Sequence, residues 1–230
     1  MNMSSFRIGK PVWSAAESWS IAAAVLVVGV SYGALAVQAG FPPWLTVALA
    51  VTVLAASAEL LFVGGLIAEV SPLAAALGAL VVNLRNGVYG FAASRYLGSG
   101  WARLAGAHLI NDETVAYASR ADGLSAQRRA FWGLGGAVLC AWPLGAGLGT
   151  VLGHVVADPA VLGLDAVFPA VLLVMLLGNL RDRRTAVTVA GGAVIAAAAA
   201  PLVPGGAAPM VALAALALLM VPVGGRHGGR

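Results

Sequence analysis

Glu59, Arg85, Asp112 and Glu113 lie in or beside long apolar runs of a 230-residue chain that is 60% hydrophobic and only 10% charged. An ionisable group at mid-depth in a bilayer costs about 2.5–3.5 kcal/mol or more, so these residues are the first candidates for function. A guanidinium presents a planar fork that grips a carboxylate through two parallel hydrogen bonds. Carboxylates are the complement: they hold an ammonium group or carry a proton. A small zwitterion would find both signs of charge among these four side chains.

Arg85 sits in Val82-Asn83-Leu84-Arg85-Asn86-Gly87, where Asn and Gly weaken a helix. Backbone freed at membrane depth is tolerated only where it lines a cavity or packs on protein. Asn83 and Arg85 are therefore read as substrate-binding, with an interruption expected near the middle of their span. A structural ion pair with Glu59, Asp112 or Glu113 is the alternative for Arg85, as is snorkelling from the end of a shorter span. The run His108-Leu109-Ile110-Asn111-Asp112-Glu113-Thr114 has the makings of a helix start inside the bilayer, with Asn111 or Asp112 as cap. Its amides would attract an anion, and its acidic pair would suit an ammonium group or a proton. Asp112 and Glu113 join the substrate-binding set; an interfacial cap at a loop is the competing reading. Glu59 follows Ala55-Ala56-Ser57-Ala58, small residues that let another backbone approach and offer little solvation. Glu59 and His108 are the proton-coupling candidates, against a purely structural buried Glu.

The elements that must position these groups are helices. A mean hydropathy of +0.93 with 30 glycines excludes an ordinary soluble domain, and apolar runs near 20 residues without strict alternation exclude a β-barrel. No charge occurs over 18–58 or 185–225. The expected fold is all-α and polytopic. Residues 1–17 form a cytoplasmic segment, 18–223 one transmembrane domain, and 224–230 a cytoplasmic tail. Spans are expected at 18–39, 44–68, 73–96, 101–118, 130–153, 161–180, 185–200 and 207–223, with 120–129 a polar loop. Loop arginines orient the chain. Grouping Arg7 and Lys10, then Arg120, Arg128 and Arg129, then Arg181, Arg183 and Arg184, then Arg226 and Arg230 on one side requires eight crossings. Both termini are then cytoplasmic, in the cell membrane, and Arg95 and Arg103 fall on the other side. Seven crossings result if 101–118 lies on the surface. Trp19, Trp44, Trp101 and Trp132 stand near span ends, as an aromatic belt requires.

Several other chemistries drop out. Cys140 is the single cysteine, so no disulfide is available within the chain. Gly29-Val30-Ser31-Tyr32-Gly33 matches a serine-hydrolase elbow, but it lies in an uncharged apolar helix, where two glycines four apart mean close helix packing. That spacing recurs at Gly145 and Gly149, and Asn83-Leu84-Arg85 recurs as Asn179-Leu180-Arg181; the offsets disagree, so no single duplication accounts for both. Ala34-Leu35-Ala36 imitates a signal-peptide cleavage site, but the polar segment before it is long and the run is a full span. His108, His154 and His227 are scattered, without metal-site spacing. No nucleotide-binding loop, enzyme nucleophile–base pair or nucleic-acid patch is found, and no cofactor is expected.

The chain resembles the AzlC family, large subunits of branched-chain amino acid exporters. The residues that carry the resemblance are Gly29, Tyr32, Gly33, Leu35 and Ala36, the small stretch ending at Glu59, Asn83-Leu84-Arg85 with Tyr89-Gly90, His108 with Asp112-Glu113, and Leu164-Asp165 with Phe168-Pro169-Ala170. The family usually has glutamine where Glu59 stands and histidine where Asn86 stands. The resemblance implies export of valine, leucine, isoleucine or methionine and a small hydrophobic AzlD-like partner subunit. An ion gradient is the expected energy source. A channel-like or structural membrane subunit is the alternative function.

Overall fold

The computed structural model describes residues 15–156 and 183–203, with isolated positions at 163, 166, 170, 173, 177, 180, 211 and 212. Among these residues there are eight helices and no strand. They are α1 (Ala15–Gln38), α2 (Pro43–Thr52), α3 (Ala56–Ile67), α4 (Pro72–Ala93), α5 (Trp101–His108), α6 (Asp112–Ser119), α7 (Leu124–Val155) and α8 (Arg183–Ala199). Two of them, α1 and α7, are long and apolar enough to cross a membrane. The expected spans at 161–180 and 207–223 and the Leu164–Ala170 pattern lie outside the described residues.

The frame is the crossing of α1 with α7, and glycine makes it. A Cβ on Gly29 would lie 2.9 Å from the Trp142 carbonyl oxygen, and one on Gly149 would fall onto the Val30 carbonyl. On Gly33 it would meet the Ala146 carbonyl and lie 2.8 Å from the Thr150 amide. The two glycine motifs are thus the facing halves of one contact, not the trace of a duplication. Pairings advance together, from Gly29 on Gly145 to Ala34 on Gly153, so the helices run parallel. Tyr32 stacks on Trp142 at 5.3 Å within this seam.

The other elements are placed by their contacts along this frame. The end holding Ala15 is called the near end, and the end holding Gln38 the far end. After Gly40, α2 returns from the far end: the Tyr32 hydroxyl donates to the Thr46 carbonyl, and Leu54 lies with Val25, Val138 and Trp142 around a small void. There the chain reverses. Leu54 takes a left-handed φ of 50°, a strain of order 1–3 kcal/mol for a non-glycine residue, held by complete packing of its side chain. Helix α3 then climbs back, bringing Phe62 against Phe41. Helix α4 runs the full length toward the near end, past Ser57 at Arg85 and reaching Phe131 with Tyr96. Helix α5 rises again, with Gly106 against Trp132 and Leu109 against Gly135. The chain turns at 109–111, and α6 descends to set Tyr117 beside Ser18 and Arg120 on Glu17.

Two corrections follow. Residues 44–68 and 101–118, expected as single spans, are two helical hairpins, one entering from each end. Their arms of 10, 12, 8 and 8 residues are about 12–18 Å long, too short to cross a hydrocarbon core of about 30 Å. The interruption expected at 82–87 is absent: α4 is continuous there, and the Asn86 side chain donates to Asn83 one turn back, at 2.8 Å. The expected loop 120–129 is also shorter, since α7 begins at Leu124. Long helix followed by hairpin thus occurs twice with opposite direction, as α1–α3 and α4–α6. Along α4, Leu73, Leu77, Leu80, Leu84, Val88 and Phe91 form an exposed apolar stripe, as a helix side facing lipid would. Trp19 and Trp101 are exposed at the near end and Trp44 at the far end, consistent with an aromatic belt on two levels.

Candidate functional site

The tips of the two hairpins meet between α4 and α7. His108, at the end of α5, donates from Nε2 to the Val51 carbonyl at 2.8 Å, tying one tip to the other. Beyond each tip a helix begins, α3 at Ala56 and α6 at Asp112. Both therefore direct the positive end of their backbone dipole toward the middle of the molecule. The two starts are finished differently. Asn111 caps α6: its side chain accepts from the Thr114 amide at 2.8 Å, and Thr114 Oγ1 accepts from the Asn111 amide at 3.1 Å. No N-cap side chain serves α3; instead Glu59, one turn on, accepts from the Ala55 amide at 3.0 Å.

Arg85 joins these two helix starts. Its Nη2 donates to Ser57 Oγ at 2.7 Å and to Asp112 Oδ1 at 3.3 Å. The guanidinium is not spent by these contacts: buried Nε has no partner, and the side chain remains 37% exposed. Arg85 and Asp112 are the sequence candidates that the fold brings into contact, so the ion-pair alternative holds for this pair. Glu113, the next residue, turns inward to the void shared with Val25, Leu54 and Val138. Its carboxyl also shares a hydrogen bond with that of Asp112, within the field of Arg85.

Glu59 is only 4% exposed. Its Oε1 accepts from the Ala55 amide and from Trp142 Nε1 at 3.1 Å, while Oε2 has no hydrogen-bond partner. Glu59 and Asn83 line one pocket of about 240 Å³, walled by Tyr32, Leu49, Val53, Phe62 and Leu80. Sequence reasoning thus named the ionisable groups and offered Asp112 among the partners of Arg85, but missed Ser57, Tyr32 and Trp142. Ser57 stood inside the small stretch before Glu59, and Tyr32 inside the glycine motif. Trp142 had no signal beyond being a tryptophan away from the span ends.

Long apolar helices around a charged cluster, with two helix starts facing it, make an all-helical fold suited to a membrane. The family is specific. The family model described as AzlC protein matches residues 20–156, more than half of the chain, and this chain belongs to the AzlC family. No curated protein and no solved structure gave a match.

Proposed function

We propose that the chain is the transport subunit of a secondary exporter of small hydrophobic amino acids, namely valine, leucine, isoleucine or methionine. Family membership supports a component of a branched-chain amino acid exporter. The observation that carries the finer reading is Arg85, held by Ser57 and Asp112 at the meeting of two hairpin tips with Nε unpartnered. A carboxylate approaching this fork would also meet the uncapped amides at the start of α3, a site suited to an anion.

The membrane arrangement belongs to the same proposal. With the two hairpins re-entrant, α1, α4 and α7 cross, and the segments that the sequence alone marks as apolar, 161–180, 185–200 and 207–223, would bring the crossings to six. Arg95 and Arg103 then join Arg120, Arg128 and Arg129 at the near end, so the basic groups collect on one, cytoplasmic, side. Inverted helix-plus-hairpin units with half-helix starts at mid-depth suit alternating access around a central site. A small hydrophobic AzlD-like subunit and an ion gradient complete the working transporter.

The test of the site is Arg85→Lys. Lysine keeps the charge but not the planar fork. Valine export should fall at least tenfold while detergent-solubilised protein keeps its melting temperature within a few degrees. Unchanged apparent affinity for valine in well-expressed Arg85→Lys would remove Arg85 from the substrate site.

A further inference from the structure

We infer that the pocket beside Glu59 is a binding site for an aliphatic ammonium group, with Glu59 Oε2 as its anchor. The inference deepens the exporter reading, on which it rests for the source of the ligand. Three observations carry it. Glu59 is nearly completely buried; Oε1 has two donors and Oε2 has none, with the Tyr32 hydroxyl as the other polar neighbour of the carboxyl. A buried carboxyl without a cation gives up its charge, and an ammonium group placed beside it restores the pair. Glu59 also lines a pocket of about 240 Å³, larger than the roughly 150 Å³ cavity that accepts benzene. A branched chain of four or five carbons fits with its nitrogen on the carboxylate. Finally, the walls are hydrocarbon: Leu49, Val53, Phe62, Ala76 and Leu80. A hard cation needs about six oxygen ligands; this pocket presents one carboxylate, the Asn83 amide and the Tyr32 hydroxyl among apolar side chains.

Arg85 does not compete for this carboxylate. Its contacts run to Ser57 and Asp112. Ser57 and Glu59, two residues apart, leave α3 about 200° from each other. The sequence reading gave the ammonium to Asp112, but Asp112 is engaged by Arg85. The ammonium chemistry has two sources: the amino group of an amino acid, whose carboxylate would then not lie on Arg85 across α3, and a simple alkylamine such as its decarboxylated form.

Binding to the purified full-length protein in nanodiscs separates them. The probes are leucine, isoamylamine and 4-methylpentanoate, against wild type, Glu59→Gln and Ala79→Leu, the last filling the pocket wall. Glutamine retains an oxygen for the Ala55 and Trp142 donors, and a melting curve checks folding. Isoamylamine binding is expected to weaken at least tenfold in both variants, with 4-methylpentanoate unchanged in Glu59→Gln. A parallel loss of leucine binding assigns the site to the amino acid, and retained leucine binding assigns it to an amine. Equal isoamylamine affinity in wild type and Glu59→Gln, or no isoamylamine binding to wild type, overturns the proposal. Because binding is read without transport, failure of the exporter reading leaves this result standing.

Discussion

At the residue scale, the proposed function turns on how a few polar groups are committed. Asp112 holds Arg85, and Ser57 offers the guanidinium its second anchor. Removing the Asp112 charge frees the fork from one tether and leaves Arg85 with less compensation in an apolar setting. Asp112→Asn is therefore expected to reduce valine export at least tenfold, and Ser57→Ala by a smaller factor, with both proteins folded. Export kinetics alongside thermal unfolding check this. Robust export in Asp112→Asn would show that the pair is not needed in transport. The sequence made the charged residues legible because charge is rare in this chain. It could not assign partners, since Ser57, Asp112 and Arg85 meet only through the folding back of two segments.

Elements explain why that folding back was hidden. Residues 44–68 have the length and apolarity of a single span, and 101–118 has the length but carries Arg103, His108, Asp112 and Glu113. The first turn-back carries no Gly or Pro; it is made by Val53, Leu54 and Ala55, with Leu54 in a conformation its side chain disfavours. Burial against α1 and α7 and the bonds from His108 to Val51 and from Ala55 to Glu59 stabilise it, and none of these but the last is written locally. The second tip was partly legible, because Asn111 and Thr114 are capping residues and do cap α6. Conversely, Asn83 and Gly87 suggested a break where α4 is continuous, with the Asn83 and Asn86 side chains bonded to each other. The glycines of α1 and α7 were read correctly as packing residues but not as each other's partners. Their role is testable by comparison. Gly33→Leu or Gly149→Leu places a side chain on backbone and should abolish the folded protein. Gly64→Ala, which meets nothing within 4 Å, should change the melting temperature by only a few degrees. Yields by size-exclusion chromatography report both, and a well-folded Gly149→Leu would contradict the crossing described here.

At the scale of the whole molecule, the two hairpins decide which loops share a side. A chain of eight simple crossings puts Ser99 opposite Ser125. Re-entrant hairpins put both at the near end, and Ala68 at the far end with Gly40. In a Cys140→Ala background, Ser99→Cys and Ser125→Cys should be labelled by an impermeant thiol reagent from the cytoplasmic side, and Ala68→Cys from outside. Labelling of Ser99→Cys from outside would restore the eight-crossing arrangement.

The central claim is export of branched-chain amino acids, and it is measured most directly as uptake of radiolabelled leucine into everted membrane vesicles. Vesicles would carry this chain with a small AzlD-like subunit, either one alone, or neither, under an imposed ion gradient. The expected result is saturable, gradient-dependent leucine uptake when both subunits are present, competed by valine, isoleucine and methionine and lost in Arg85→Lys. Uptake no greater than in empty vesicles, with both subunits folded and inserted, would contradict it.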